Sequence, residues 1–259
     1  MIAEIFGKIS RTGSNLSDRL EDKLTGDVFG SLRYLPFEIG LKKLLSGVHF
    51  EAISAQAEWN HLLDRTSGYS YEMEFWPKHE LGEIDLRFTL EDSLIGIEVK
   101  YFSGLSSEDE DPYISTEASK NQLSRYSRML STFAGIEHKY LVFLAPQSMV
   151  TLVRTDLSHR SIIAKDVCIG FLAWEEVLER LLQVHVEDAP LYQTLILQDI
   201  QALLNRKGFA RFSGFDKGLA KLDVTKEAYK YRTPVNVQSI CWPTVAISEE
   251  DSYVYKQWS

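Results

Sequence analysis

The stretch Gly82-Glu83-Ile84-Asp85-Leu86-Arg87-Phe88-Thr89-Leu90-Glu91-Asp92-Ser93-Leu94-Ile95-Gly96-Ile97-Glu98-Val99-Lys100-Tyr101 decides the reading of this chain. Over Gly82–Leu90 the period is two, with Ile84, Leu86 and Phe88 on one side and Glu83, Asp85, Arg87 and Thr89 on the other. Glu91-Asp92-Ser93 carries turn chemistry, and Leu94–Tyr101 alternates again, so the stretch predicts a β-hairpin. Two registers are open. A turn at Glu91-Asp92 pairs Leu90 with Ser93 and sets Asp85 opposite Glu98, whereas a loop over Glu91–Leu94 sets Asp85 opposite Lys100. In both, Asp85, Glu98 and Lys100 are expected on the face opposite Ile84, Leu86, Ile97 and Val99. Directly opposed Cβ atoms stand about 5 Å apart, so two carboxylates and an ammonium converge.

Close carboxylates repel, and one protonates unless a cation sits between them. Mg²⁺ or Mn²⁺ suits such oxygen donors, and the backbone carbonyl of Val99 would add a third ligand. Lys100 beside the metal would assist deprotonation of water or neutralise charge on a phosphate, equipment for phosphodiester hydrolysis.

Around the hairpin the pattern is that of an α/β domain. Ser17 is an N-cap candidate for a helix with Leu20, Leu24, Val28 and Leu32 on one stripe, broken at Pro36. Phe37–Leu45 and Ala55–Leu63 read as further helices, and the period changes to two from Tyr71. A helix is expected over Thr116–Phe133, with Leu123, Tyr126, Leu130 and Phe133 as its apolar face. Tyr140–Leu144 and Val167–Leu172 read as strands, and Trp174–Leu182 and Leu191–Asn205 as helices, the last closed by Lys207-Gly208. The expected organisation is a lead-in at 1–16, a core at 17–208 with a central mixed β-sheet flanked by helices, and a C-terminal extension, 209–259, packed on that core.

Ile84-Asp85 followed by Glu98-Val99-Lys100 resembles the PD-(D/E)xK nuclease signature, with Ile84 in place of the motif proline. Gln122-Leu123-Ser124-Arg125-Tyr126 resembles the Q-x-x-x-Y element of many members, and Glu21 sits where such nucleases often carry an acid. The resemblance spans roughly Ser17–Leu182 and implies a restriction-endonuclease-like fold. It implies Asp85 and Glu98 as metal ligands, Lys100 on the attacking water, Gln122 orienting water or phosphate, and Glu21 as an accessory metal or water ligand. The implied activity is metal-dependent cleavage of nucleic acid, foremost DNA, in restriction, repair or phage defence. The alternative is a non-catalytic nucleic-acid- or protein-binding module that retains the fold.

Composition bounds these readings. The 259 residues carry 28 basic and 37 acidic side chains, a net charge of −9, which disfavours a protein that simply coats nucleic acid. Targeting is then expected from a small basic groove or from a partner subunit, a second copy in a homodimer included. One candidate lies between Arg206 and Arg232, where eight basic residues face three acids among interleaved Phe and Tyr. Arg125 and Arg128 read as a solvated face or salt bridges, Tyr126 as core, and Glu108–Asp111 as a mobile acidic loop. No apolar run approaches the roughly 20 residues of a membrane helix, the N-terminus lacks a signal-peptide pattern, and a cytoplasmic protein is expected. Cys168 and Cys241 match no metal spacing, and no phosphate-binding glycine loop, H-E-x-x-H or G-x-S-x-G occurs.

Overall fold

The computed structural model describes residues 16–105, 107, 109, 113–184 and 189–211, with the side chains of 16–19 left aside. The chain divides into two compact units, Met1–Phe212 and Ser213–Ser259, and the second lies outside the described residues. So do most of the expected lead-in, Cys241, and all of the basic stretch beyond Arg211.

The elements are α1 (Leu16–Leu32), α2 (Leu41–Leu45), β1 (His49–Phe50), α3 (Ile53–Arg65), β2 (Glu72–Phe75), β3 (Lys78–His79), β4 (Gly82–Glu83), β5 (Leu86–Leu90) and β6 (Ser93–Val99). There follow α4 (Gln122–Ser131), β7 (His138–Ala145), α5 (Gln147–Ser158), β8 (Cys168–Ala173), α6 (Trp174–Leu182) and α7 (Leu191–Arg206). Six strands form one mixed sheet in the order β1-β8-β7-β6-β5-β2, and β3 pairs β4 separately. The central strands β6, β7 and β8 are parallel, joined through α4 and α5, while the outer pairs are antiparallel. This is an α/β fold with helices on both faces of a mixed sheet. Every residue of β6 is buried, as a central parallel strand covered on both sides requires.

One face of the sheet buries Leu86, Phe88, Ile97, Val99, Tyr140 and Val142 against the apolar stripes of α1, α2, α3, α6 and α7. The other buries Leu94, Leu141, Phe143 and Phe171 against Leu123 and Leu130 of α4 and Val150 and Leu157 of α5. Phe209, placed by sequence in the extension, is buried in the first of these clusters. No helix among the described residues is long and apolar enough to cross a membrane.

The hairpin takes the tighter of the two registers. Leu90 pairs with Ser93 and Leu86 with Ile97 across a two-residue turn, with Glu91 at φ 48°, so Asp85 comes opposite Glu98. The alternation expected over Gly82–Leu90 nevertheless fails at Ile84-Asp85, where the chain leaves β4 and enters β5. Ile84 therefore packs with Leu94, Leu123 and Leu130 on the α4 side, the side of Glu98, and not with Leu86 and Ile97. The expectation that Ile84 opposes the acids is corrected accordingly.

Helix α4 begins at Gln122, six residues after the expected Thr116. Asn121 ends the preceding loop by capping the helix, its side-chain carbonyl accepting from the amides of Leu123 (2.9 Å) and Ser124 (3.3 Å). Helix α5 had no expectation at all: only Val150 and Leu157 of it are buried, too sparse a stripe to mark a helix in the sequence.

Gly96 lets α4 lie close to β6. A Cβ there would stand 2.6 Å from Ile84 Cδ1 and 3.1 Å from Leu130 Cδ1. Gly96→Val is expected to lower stability by about 1–3 kcal/mol through overpacking, a loss that urea denaturation would read directly. An unchanged midpoint would contradict this packing.

Candidate active site

Lys100 lies just past the C-terminal end of β6, the end of a parallel strand where open α/β sheets place their ligands. It is held there by backbone bonds from both neighbours. Its N–H donates to the Leu144 carbonyl of β7 (2.7 Å), and its own carbonyl accepts from Trp174 Nε1 (3.0 Å). Trp174 is the first residue of α6 and fully buried, so the strand end is pinned from the core side.

The side chain of Lys100 turns to the opposite side and meets two acids. Nζ lies 2.7 Å from Glu98 Oε1 and 3.2 Å from Glu21 Oε1 of α1, and all three residues are buried. Glu21 is held further by Oε2, which accepts from the Tyr101 amide (2.8 Å) and the Ser103 hydroxyl (2.7 Å). Gln122, the first residue of α4, donates Nε2 to Glu98 Oε1 (2.7 Å). The same amide lies 3.1 Å from Tyr126 OH, one turn on, which in turn donates to the Glu83 carbonyl (2.7 Å).

Asp85 enters from the break in the hairpin. Its carboxylate accepts from the Val99 amide (2.8 Å), and its carbonyl accepts from the Trp76 amide (2.9 Å), which carries the edge of the sheet past the break. Val99 closes β6 with its side chain in the core and its N–H on Asp85. Asp85, Glu98, Lys100, Gln122 and Glu21 thus line one cavity of about 480 Å³, together with Asp22, Glu83, Ser103, Leu105 and Tyr126.

The electrostatics follow from burial. Desolvation, reinforced by Asp85, pushes the Glu98 carboxyl well above the usual carboxylate range, while Lys100 pulls it back. Burial alone would lower the Lys100 ammonium, yet Glu98 and Glu21 outweigh it and raise it above its ordinary value. Burial, with Glu98 nearby, also raises the Tyr126 phenol. Lys100 is therefore a firmly charged cation embedded among acids, and Tyr126 stays a neutral phenol able to donate.

Sequence reasoning placed Tyr126 in the core. Its ring is there, but its hydroxyl reaches the cavity, and the i, i+4 spacing from Gln122 carries that signal. Ser103 and Trp174 had no signal, since their partners are far away in the chain. Among the described residues Arg125 and Arg128 are engaged by hydrogen bonds and by no salt bridge: Arg125 donates to the Leu81 carbonyl and Ser107, and Arg128 to the carbonyls of Glu117 and Ser119.

A metal-ligand group of another kind lies away from the cavity. Asp92, Glu137 and His138 each bring a ligand atom within 4.8 Å of the others and could hold a metal ion. The Asp92 carboxylate is also paired with Arg65. No family model, curated protein or solved structure matches this chain.

The acidic segment after β6 is not the loose loop expected at Asp109; Glu108, Glu110 and Asp111 lie outside the described residues. The Asp109 carboxylate accepts from Ser119 Oγ (2.5 Å), the Lys120 amide (2.6 Å) and Arg160 (2.8 Å), and its side chain is 1% exposed. These bonds fasten the two residues that precede the Asn121 cap, and so the start of the helix that delivers Gln122. Burial opposes the ionised form, but Ser119, the backbone amides and Arg160 prevail and hold the carboxyl below its ordinary value. Asp109→Asn is expected to cost about 1–3 kcal/mol at neutral pH. A carboxyl with a lowered pKa contributes above its unfolded value and loses that contribution as acid protonates it, so the difference from wild type closes below about pH 4. Urea unfolding of both proteins at neutral and at acid pH measures the two effects.

Proposed function

We propose that this chain is a metal-dependent phosphodiesterase of restriction-endonuclease-like fold that cleaves nucleic acid, DNA foremost, in the cytoplasm. The observation that carries the reading is the convergence of Asp85, Glu98, Lys100, Gln122 and Glu21, from four separate segments, on one cavity at the end of β6. A structural ion pair needs one acid per base. Here, among the described residues, five carboxylates line the cavity beside the Lys100 ammonium, an acid-rich oxygen lining of the kind that suits a hard cation.

The donor set fits Mg²⁺ or Mn²⁺: hard carboxylate oxygens from Asp85 and Glu98, with the Val99 carbonyl as a neutral donor. Such an ion, when bound, supplies Lewis acidity toward a phosphate and lowers the pKa of a water. The protein's own groups account for the rest. Gln122 fixes the Glu98 rotamer, and Lys100 offers positive charge to a phosphate oxygen or holds the attacking water. Glu21 has both oxygens engaged, by Lys100 on one side and by Tyr101 and Ser103 on the other. It is thereby suited to positioning Lys100 more than to ligating metal, which refines its expected role.

Cleavage of supercoiled plasmid and of single-stranded DNA with Mg²⁺, Mn²⁺ or EDTA tests the reading, with Asp85→Ala and Lys100→Ala beside wild type. Metal-dependent cleavage should fall by roughly 10²-fold or more in both variants. Calorimetric titration with Mn²⁺ should show binding to wild type that Asp85→Ala loses. Cleavage that survives both substitutions sinks the assignment. A chain that neither cleaves nor binds Mn²⁺ is the non-catalytic binding module instead.

A further inference from the structure

A second cavity, of about 380 Å³, is joined to the first by the chain that leaves β6. Consecutive residues of that segment line the two: Tyr101 and Phe102 the second cavity, Ser103, Gly104 and Leu105 the candidate active site. Across it stand Met149 of α5 and the Lys207-Gly208-Phe209 segment that follows α7.

The chemistry of this cavity is aromatic and cationic. Phe102 is 66% exposed, an unusual position for a large apolar ring where the other described phenylalanines are largely buried. Its ring lies against that of Tyr101, with centroids 3.8 Å apart and planes inclined by 40°. Tyr101 in turn packs edge-on against Phe209 (5.6 Å), which stacks on Trp174. Lys207 places Nζ 4.8 Å from the Tyr101 ring centroid, and the Tyr101 hydroxyl donates to the Lys207 carbonyl (3.3 Å). The acid in the lining, Glu175, already accepts from the Gln147 amide (2.9 Å). An exposed ring on a rigid aromatic floor, with an ammonium alongside, is the equipment with which proteins hold unpaired bases: stacking for the base and a cation for the backbone.

We propose that this second cavity is a nucleobase subsite, taking an unpaired nucleotide of the strand whose phosphate lies at Lys100. The proposal rests on the phosphodiesterase reading above and narrows its substrate to single-stranded or locally unpaired nucleic acid. A base within a duplex is already stacked and paired, and it enters such a cavity only by leaving the helix at a cost of a few kcal/mol. The floor also ties the subsite to the chemistry. Trp174, stacked on Phe209, donates to the carbonyl of Lys100, and Tyr101 donates its amide to Glu21.

The experiment is fluorescence anisotropy with a labelled single-stranded DNA of about 12 nucleotides, in EDTA to prevent cleavage, alongside the blunt duplex of the same sequence. Wild type is compared with Phe102→Ala, Phe102→Trp and Lys207→Gln, and every variant is assayed for plasmid cleavage with Mg²⁺. Phe102→Ala should weaken single-strand binding by roughly 5- to 150-fold, the measured range for removal of one stacking partner, and weaken duplex binding by less. Phe102→Trp should restore it, because stacking tolerates any aromatic surface. Lys207→Gln should reduce the salt slope of single-strand binding by about 0.7. If wild type cleaves DNA but Phe102→Ala binds the single strand as tightly as wild type, the subsite is overturned and the phosphodiesterase reading stands. Equal losses on single strand and duplex also overturn it, since stacking on an unpaired base would not affect both alike. If wild type neither binds the oligonucleotide nor cleaves, both readings fall together.

Discussion

A buried ammonium must be paid for by neighbouring charge, and the geometry around Lys100 is arranged to do so. Its Nζ touches Glu98 and Glu21, which come from β6 and α1, 77 residues apart in sequence and on different layers of the fold. Removing either acid would leave the cation short of a partner in a water-poor setting, where an unpaired charge costs several kcal/mol. The contact therefore locks the first helix to the sheet. It also obliges Tyr101 and Ser103 to meet Glu21, which fixes the path of the chain as it leaves β6.

That path explains why the site lies at this end of the sheet. The parallel run β6-β7-β8 supplies a rigid platform buried on both faces, and its strands release Lys100 and Trp174 at the same edge. Helix α4 adds Gln122 from above, and its height over β6 is set by the missing side chain at Gly96 and by Ile84 beneath Leu130. Asp109 determines where that helix starts. Precision at Glu98 is thus inherited from backbone bonds and close packing contributed by residues distant in the sequence, in keeping with the need to hold reacting groups on rigid elements.

Much of this was legible in one hairpin. Alternation identified β5 and β6 and grouped Asp85, Glu98 and Lys100, because a strand's period of two ties face to sequence position; the choice between the two registers came only with the pairing of Leu90 and Ser93. The reading erred where that period breaks. Ile84 changes face because Gly82–Glu83 pairs with Lys78–His79 and not with β6, a partnership no local pattern announces. The start of α4 was missed because the segment before it is bound to Asp109 and to Arg128 by hydrogen bonds, while Asn121 takes the capping role. The hydroxyl of Tyr126 was hidden by its ring: an apolar stripe position says where a side chain packs, not where its polar tip ends.

The balance of charge in the cavity favours a site built for a ligand over a structural network. Lys100 pairs with both Glu98 and Glu21, yet burial and the neighbouring Asp85 push the Glu98 carboxyl upward against its pull, so further positive charge at this point would favour the ionised form. A network selected for stability alone would replace these groups with apolar side chains, which usually pack at equal or better free energy. Among the described residues the donors that reach Glu98, Lys100 and Gln122, bond the same oxygen, Oε1. They hold the carboxylate in one rotamer and leave its second oxygen as the one a cation would take. A side chain pinned on one atom and spared on the other, against an open cavity, is the arrangement that preorganised ligand sites require.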